Sequence, residues 1–343
     1  MKSSILIKSF LASCFYSTVA VFWRLRKLSK GNFLVLMYHR VVPRAEAKEE
    51  VQAGMYVDPS TFARHIKFLK KLFSVVPIAE LNSFQQRNFV NLDRSPLCIL
   101  TFDDGWYDFY KYAFPVLKAH KVPAAVFLPT DFIGTKNWLW TDRLAAFLRY
   151  IGKPEKMEIS LEAISHPIVK KIFSCKGSRE SRLEATIQLL KTHTNAEIEK
   201  LIKELSELLN IAPYPAGRAF LTWEEARAMA NSRLIAFGSH TASHRILTTL
   251  GENEIKEELT KSKERLIAEK VVNPSFIPFS YPNGNYHARI AAMVREAGYG
   301  LAATTENGWN HFRSDHFALR RVSIHQDMTS TDAMLGCRIV GIF

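Results

Sequence analysis

The sequence is short of cysteine, of repetition and of long apolar runs, and each shortage removes a class of protein. Four cysteines, Cys14, Cys98, Cys175 and Cys337, are spread over 343 residues with no CxxC pair. That leaves no zinc-ribbon or dithiol motif and argues against a disulfide framework. There is no low-complexity tract and no short-period repeat, which excludes solenoids and disordered linkers. Acidic residues are also in deficit, 33 against 46 Lys and Arg, for a net charge of +13. Such a charge suits an anionic membrane surface, an acidic substrate or nucleic acid. No zinc-finger spacing or RNA-binding aromatic signature accompanies it, so nucleic-acid binding is not expected.

No stretch reaches the roughly 20 apolar residues of a membrane-crossing helix. The nearest is Ser9–Trp23, SFLASCFYSTVAVFW, with 15 uncharged residues followed by Arg24, Arg26, Lys27 and Lys30. It lacks a small-x-small cleavage site. Three readings stay open: a short span, an interfacial helix with aromatics in the lipid boundary, or a helix packed on the protein's own surface. Composition favours a membrane-associating segment over residues 1–30, on an anionic surface. By the positive-inside tendency the expected location is a bacterial inner membrane, the cytoplasmic face favoured.

Beyond the tail, apolar runs alternate with helical patterns. Strands are expected at Leu34–His39, Leu97–Asp103, Ala124–Pro129, Leu234–His240, Phe276–Tyr281, Gly300–Thr304 and Phe317–Ile324. Helical spacing occupies Thr61–Leu72, Tyr110–Ala119, Glu252–Ile267 and Tyr286–Ala297. Seven strands alternating with helices make an α/β fold, either a barrel or an open doubly wound sheet. Residues 151–217 break the rhythm. They are charged and helical, an insertion that either caps a site or packs on the outer wall.

The chemistry collects at strand ends, where parallel α/β folds place their sites. The first strand ends in MYHR, with His39, and the second runs into LTFDDGWYD, with adjacent Asp103 and Asp104. The fourth continues as SHTASH, with His240 and His244. Two aspartates side by side repel when both are ionised. A helix cap explains one of them; a site needing two carboxylate roles explains both. Histidines four apart can face one point on a helical turn. Two imidazoles and a carboxylate form a common ligand set for Zn²⁺, with Co²⁺, Ni²⁺ and Mn²⁺ compatible. The remaining carboxylate then serves as general base.

Together TFDDG (Thr101–Gly105), HTASH (His240–His244) and FSYPNG (Phe279–Gly284), with LMYHRV and LTWEEARAMA, resemble the polysaccharide deacetylases of carbohydrate esterase family 4, the NodB-homology family. The resemblance runs from about residue 34 to 325. It implies a deformed (β/α)₇ barrel over 31–343, with the insertion at 151–217. It also implies metal-dependent removal of N-acetyl groups from an amino-sugar glycan or glycolipid. Carried over, Asp103 resembles the catalytic base, and Asp104, His240 and His244 the metal ligands. The backbone N–H of Asn283 would help hold the oxyanion.

The sequence departs from the family pattern twice. The arginine that opens RxPY and orients the base is here Ser280, so Arg321 in LRRVSI is the expected substitute. The C-terminal histidine motif is not clean, and His39 is preferred over His325 as general acid. Trp106 and Tyr107 either stack on sugar faces or pack in the core or rim, and Trp309 and Asn310 are candidates for the acetyl pocket. Two other functions stay open: a related C–N hydrolase of deformylase or imidase type, and a non-catalytic carbohydrate-binding protein on the same fold.

Overall fold

Strand β1 (Asn32–Tyr38) is the hub of the sheet, because it pairs on both sides and carries the apolar run NFLVLMY. The computed structural model describes residues 12, 20–50, 52, 54–81, 95–151, 167–174, 178–212 and 217–342. Most of Ser9–Trp23, part of the 151–217 insertion, Cys14 and Cys175 lie outside the described residues. The chain divides into two compact units. One holds Met1–Arg44, Gly54–Thr135 and Phe220–Phe343; the other holds Ala45–Ala53 and Lys136–Ala219.

In the first unit, β5 (Leu97–Phe102), β6 (Ala124–Leu128), β7 (Ile235–Ser239), β8 (Pro278–Ser280) and β9 (Leu301–Ala303) follow β1 in parallel, each hydrogen-bonded to the next. The expected last strand, Phe317–Ile324, is not continuous. Ala303 forms a parallel bridge with Leu319, and β11 (Val322–Ser323) pairs in parallel with Leu36–Met37 of β1. This broken strand bridges β9 to β1 and curls the sheet toward a closed barrel. Closure thus takes only a bridge and two ladder residues, and Arg321 sits between them.

Short additions surround this frame: β2 (Arg40–Val41) with β3 (Tyr56–Val57), β4 (Ser74–Val75) on β5, and β10 (Asn310–His311) antiparallel to the start of β1. Pairing with Asn32 and Phe33 puts Asn310 at the beginning of β1, whereas the sites of such folds lie at the strand ends. Trp309 donates its indole N–H to Ile339 at 2.9 Å. The expectation that Trp309 and Asn310 form an acetyl pocket is therefore corrected.

Alternation along the strands separates two cores. Phe33 and Val35, Ile99, Ala125 and Phe127, Leu301 and Ala303, and Leu319 form one buried cluster. On the opposite face Tyr38 and Phe102 stack at 5.1 Å and meet Phe62 edge-on. Phe62 comes from helix α1 (Pro59–Leu72), which is capped by Asp58 and has proline in its first turn, both favourable starts. The helix expected at Tyr110–Ala119 begins instead as a π-turn over Phe109–Ala113, followed by α2 (Phe114–His120).

The second unit is helical: α3 (Trp140–Ile151), α4 (Pro167–Ser174), α5 (Arg179–Leu190) and α6 (Asn195–Leu209). Its own core joins Leu144, Phe147, Ile187, Leu201, Ile202 and Leu205. Helix α6 starts in a Thr194/Glu197 capping box, which satisfies backbone donors at both positions. Arg143 holds Glu199 with one nitrogen 2.8 Å from both carboxylate oxygens.

Candidate active site

Residues Ile99, Thr101 and Asp103 share one face of β5, so Asp103 is the next layer above the inner core cluster. Its backbone N–H still donates to Tyr38 at 3.0 Å, which continues the β1–β5 ladder by one residue. Asp104 then takes a left-handed φ of 75°, and Gly105 follows at 67°. That reversal brings the second carboxylate back to the same point, although strand alternation alone would separate the two. At Gly105 a Cβ would lie 2.4 Å from Leu128 Cδ2, so a side chain there strains the backbone and forces Leu128 to shift.

Arg321 is fully buried, and its guanidinium fills the position opposite Asp103. Nη1 and Nη2 donate to the two Asp103 oxygens at 2.7 Å each. Nη1 also reaches Thr101 Oγ1 at 3.2 Å, Nη2 reaches Ser280 Oγ at 3.0 Å, and Nε reaches the Thr304 carbonyl at 2.7 Å. A guanidinium has five N–H groups, and these contacts use them all. Bidentate pairing of this kind is strong and directional. Burial alone would raise the Asp103 pKa. The charge and hydrogen bonds of Arg321 outweigh burial and leave the carboxyl below its ordinary value.

Beside this pair, Asp104 Oδ1 lies 3.2 Å from His244 Nε2 and 3.5 Å from His240 Nε2. The ligand atoms of Asp104, His240 and His244 all fall within 4.8 Å of one another. The other Asp104 oxygen accepts the Trp106 indole N–H at 3.0 Å. Burial would raise the Asp104 pKa, but the hydrogen bond and charge of His244, with His39, hold it well below the carboxylate range. His240 donates Nδ1–H to the Ser280 carbonyl at 2.7 Å, so its Nε2 presents a lone pair. Burial lowers its pKa to about 4, against the charges of Asp103 and Asp104, which keeps the ring neutral at physiological pH.

This donor set fits a divalent cation. It offers one ionised carboxylate oxygen and two imidazole nitrogens, with outer partners orienting Asp104 and His240. The O···N separations of 3.2 and 3.5 Å bracket the edge of a tetrahedron with bonds of ~2.1 Å, about 3.4 Å. Thr241 and His244 take left-handed φ values of 65° and 60°, and such conformations in non-glycine residues cluster at functional sites.

The other expected residues fall as follows. His39 is half-buried at the end of β1, and its charge bears on both aspartates. His325 contacts Asp327 through Nδ1, and the neighbouring Ile324 N–H donates to Met37 at 2.9 Å. Asn283 occupies the turn after β8 with φ 58°; its side chain donates to Asn285 and its carbonyl accepts from Thr305. Trp106 is 2% exposed and is stacked on Phe220 at 4.8 Å. It therefore supports Asp104 from the core, the packing reading of the two, and is not a sugar platform. Thr101 and the Arg40–Asp108 pair, 2.6 Å apart and buried, were missed. A threonine in the apolar run LCILTF was the one available signal.

The family description matching the chain is "Polysaccharide deacetylase", over residues 93–302. Among solved structures, the chain is similar to the Streptococcus pyogenes deacetylase PplD in complex with acetate. Identity there is 18% and the TM-score 0.57, covering 90% of this chain and 98% of that one. IcaB from Ammonifex degensii gives 19% and 0.56, covering 89% and 97%. A de-N-acetylase from Aggregatibacter actinomycetemcomitans gives 16% and 0.52, covering 89% and 98%. At these identities the likeness is one of fold. Curated protein sequences contain no match. The matched stretch spans well over half of the chain and includes Asp103, Asp104, His240, His244 and Ser280, so the chain belongs to the polysaccharide deacetylase family.

Proposed function

We propose that this chain hydrolyses N-acetyl groups on an amino-sugar glycan or glycolipid, using one divalent cation, Zn²⁺ by preference, held by Asp104, His240 and His244. The observation that carries it is the convergence of those three ligand atoms beside a carboxylate kept ionised by a buried arginine. A bound divalent ion supplies Lewis acidity to the acetamide carbonyl and lowers the pKa of water at its open positions. Asp103 takes the proton of the attacking water, since it is ionised and fixed in direction by Arg321. His39 returns a proton to the departing amine; its influence on both aspartates supports it over His325, whose Nδ1 engages Asp327. The Asn283 N–H is assigned to the oxyanion on the family pattern.

Purified protein should carry one divalent ion per chain by elemental mass spectrometry, and His240→Ala should lose it. Chelation should abolish acetate release from N-acetylated oligosaccharides, and Zn²⁺ should restore it. Formate as the released acid would move the chain to the deformylase reading. No metal in the wild type, even after incubation with Zn²⁺, would leave the non-catalytic carbohydrate-binding reading.

We also propose that the N-terminal region lies on an anionic membrane surface. No described helix is long and apolar enough to cross a membrane. Helix Ala20–Leu28 buries Val21 and Leu25, and Arg24 Nε donates to Val340 at 2.8 Å, so one side is docked on the protein. Phe22 and Trp23 are 40% and 67% exposed, and Arg24, Arg26, Lys27 and Lys30 are exposed with them. Aromatics beside cations suit the headgroup boundary. Removing residues 1–30 should shift the protein from the membrane to the soluble fraction; unchanged fractionation would refute the proposal.

A further inference from the structure

The loop that carries both histidines is built from residues that resist its shape. Thr241 and His244 are left-handed, and neither is glycine. Such positions persist only when their surroundings over-determine them. Four consecutive backbone N–H groups lead to His244, and each has a defined acceptor. His240 donates to Leu128 at 2.9 Å and Thr241 to Ser239 Oγ at 3.0 Å. Ala242 and Ser243 both donate to Glu258 Oε2, at 2.9 and 2.8 Å. The Ser243 hydroxyl closes on the other Glu258 oxygen.

Glu258 belongs to helix Glu252–Ala268, whose buried face reads Ile255, Glu258, Leu259, Ser262 and Leu266. A glutamate more than nine-tenths buried on that face is costly unless its oxygens are satisfied, and here three donors do so. Four residues on, Ser262 makes the second attachment. Tyr299 donates its hydroxyl to the Leu259 carbonyl at 2.8 Å, so it accepts from Ser262, 2.8 Å away. Ser262 in turn accepts from Ser239, whose oxygen receives the Thr241 N–H. Burial pushes the Tyr299 pKa up to about 12, so its proton stays in this chain. Two polar side chains one turn apart therefore grip the loop from below.

We propose that Glu258 is a positioning residue for the metal centre: through Ala242 and Ser243 it sets His244 in register with His240 and Asp104. The inference rests on the metal-site reading above and adds a residue that touches none of the reacting groups. Loss of outer partners of this kind typically weakens metal binding by about 10–100-fold.

The test is the Zn²⁺ dissociation constant, from chelator competition, with the melting temperature of the metal-free protein and the Co²⁺ absorption spectrum beside it. Glu258→Ala should bind Zn²⁺ about 10–100-fold more weakly, with an altered Co²⁺ spectrum. Glu258→Gln should recover most of the affinity, because its amide oxygen can accept both N–H groups and its NH₂ can donate to Ser243. A lower melting temperature with unchanged affinity and spectrum would overturn the proposal and leave Glu258 a purely structural residue. If the alanine variant does not fold, Ser243→Ala decides, since it removes one contact at a half-buried site. Several-fold weaker binding supports the proposal and wild-type affinity overturns it. A wild type that binds no metal would refute the metal-site reading itself, which separates the two failures.

Discussion

Asp103→Asn is expected to lower kcat for acetate release by about 10²–10⁴-fold, the usual contribution of a positioned general base, while the metal content stays at one ion per chain. The substitution keeps the size of the side chain but removes the charge and one acceptor facing Arg321. Asp104→Asn should fail differently, by losing metal, because its Oδ1 is the oxygen closest to both histidines. Parallel measurement of acetate release and bound metal separates these roles. An Asp103→Asn enzyme with metal bound and more than about a tenth of wild-type turnover would show that another group takes the proton, given the size of the effect.

Arg321→Met should destabilise the fold by about 3–5 kcal/mol, since it leaves the Asp103 carboxylate buried without its cation. Methionine retains most of the volume, so the loss reflects charge and hydrogen bonding more than a cavity. Combining Arg321→Met with Asp103→Asn should recover much of that stability, because neither charge is then stranded. Arg321→Lys should not rescue, since one ammonium cannot reproduce five donors spread over Asp103, Thr101, Ser280 and Thr304. Urea midpoints with unchanged slopes would measure these differences. A single Arg321→Met variant within about 1 kcal/mol of wild type would mean that Asp103 takes a proton or finds water on losing its partner, against the reading of a fixed base.

Much of this protein was legible in the sequence because local signals agreed. Buried parallel strands read as short apolar runs, and strand ends carried the unusual polar residues: His39, Asp103 with Asp104, and His240 with His244. The boundaries shifted by one or two residues at most strands. The final strand was read too long because five of the eight residues of Phe317–Ile324 are apolar, while its ladder pairing is confined to the Leu319 bridge and to Val322 and Ser323. Periodicity reports burial, and burial does not require a ladder.

The sequence by itself determined the α/β class and marked Asp103 with Asp104 and His240 with His244 as the unusual polar residues, because each pair is written in neighbouring positions; the structure groups Asp104, His240 and His244 as a set that could hold a metal ion. Tertiary structure alone decided what holds them. Arg321 lies 218 residues from Asp103 and meets it only because the broken last strand closes the barrel against β1. It occupies the gap beside Ser280 and draws acceptors from β5, β8 and the end of β9. Burial and the indole bond to Asp104 decide between the two readings of Trp106, sugar stacking and core packing. Glu258 lies on the buried face of its helix, and a buried carboxylate is recognisable only from the donors that surround it. Chemistry concentrated at strand ends can be read along the chain, whereas the hydrogen bonds that aim it depend on which strands become neighbours.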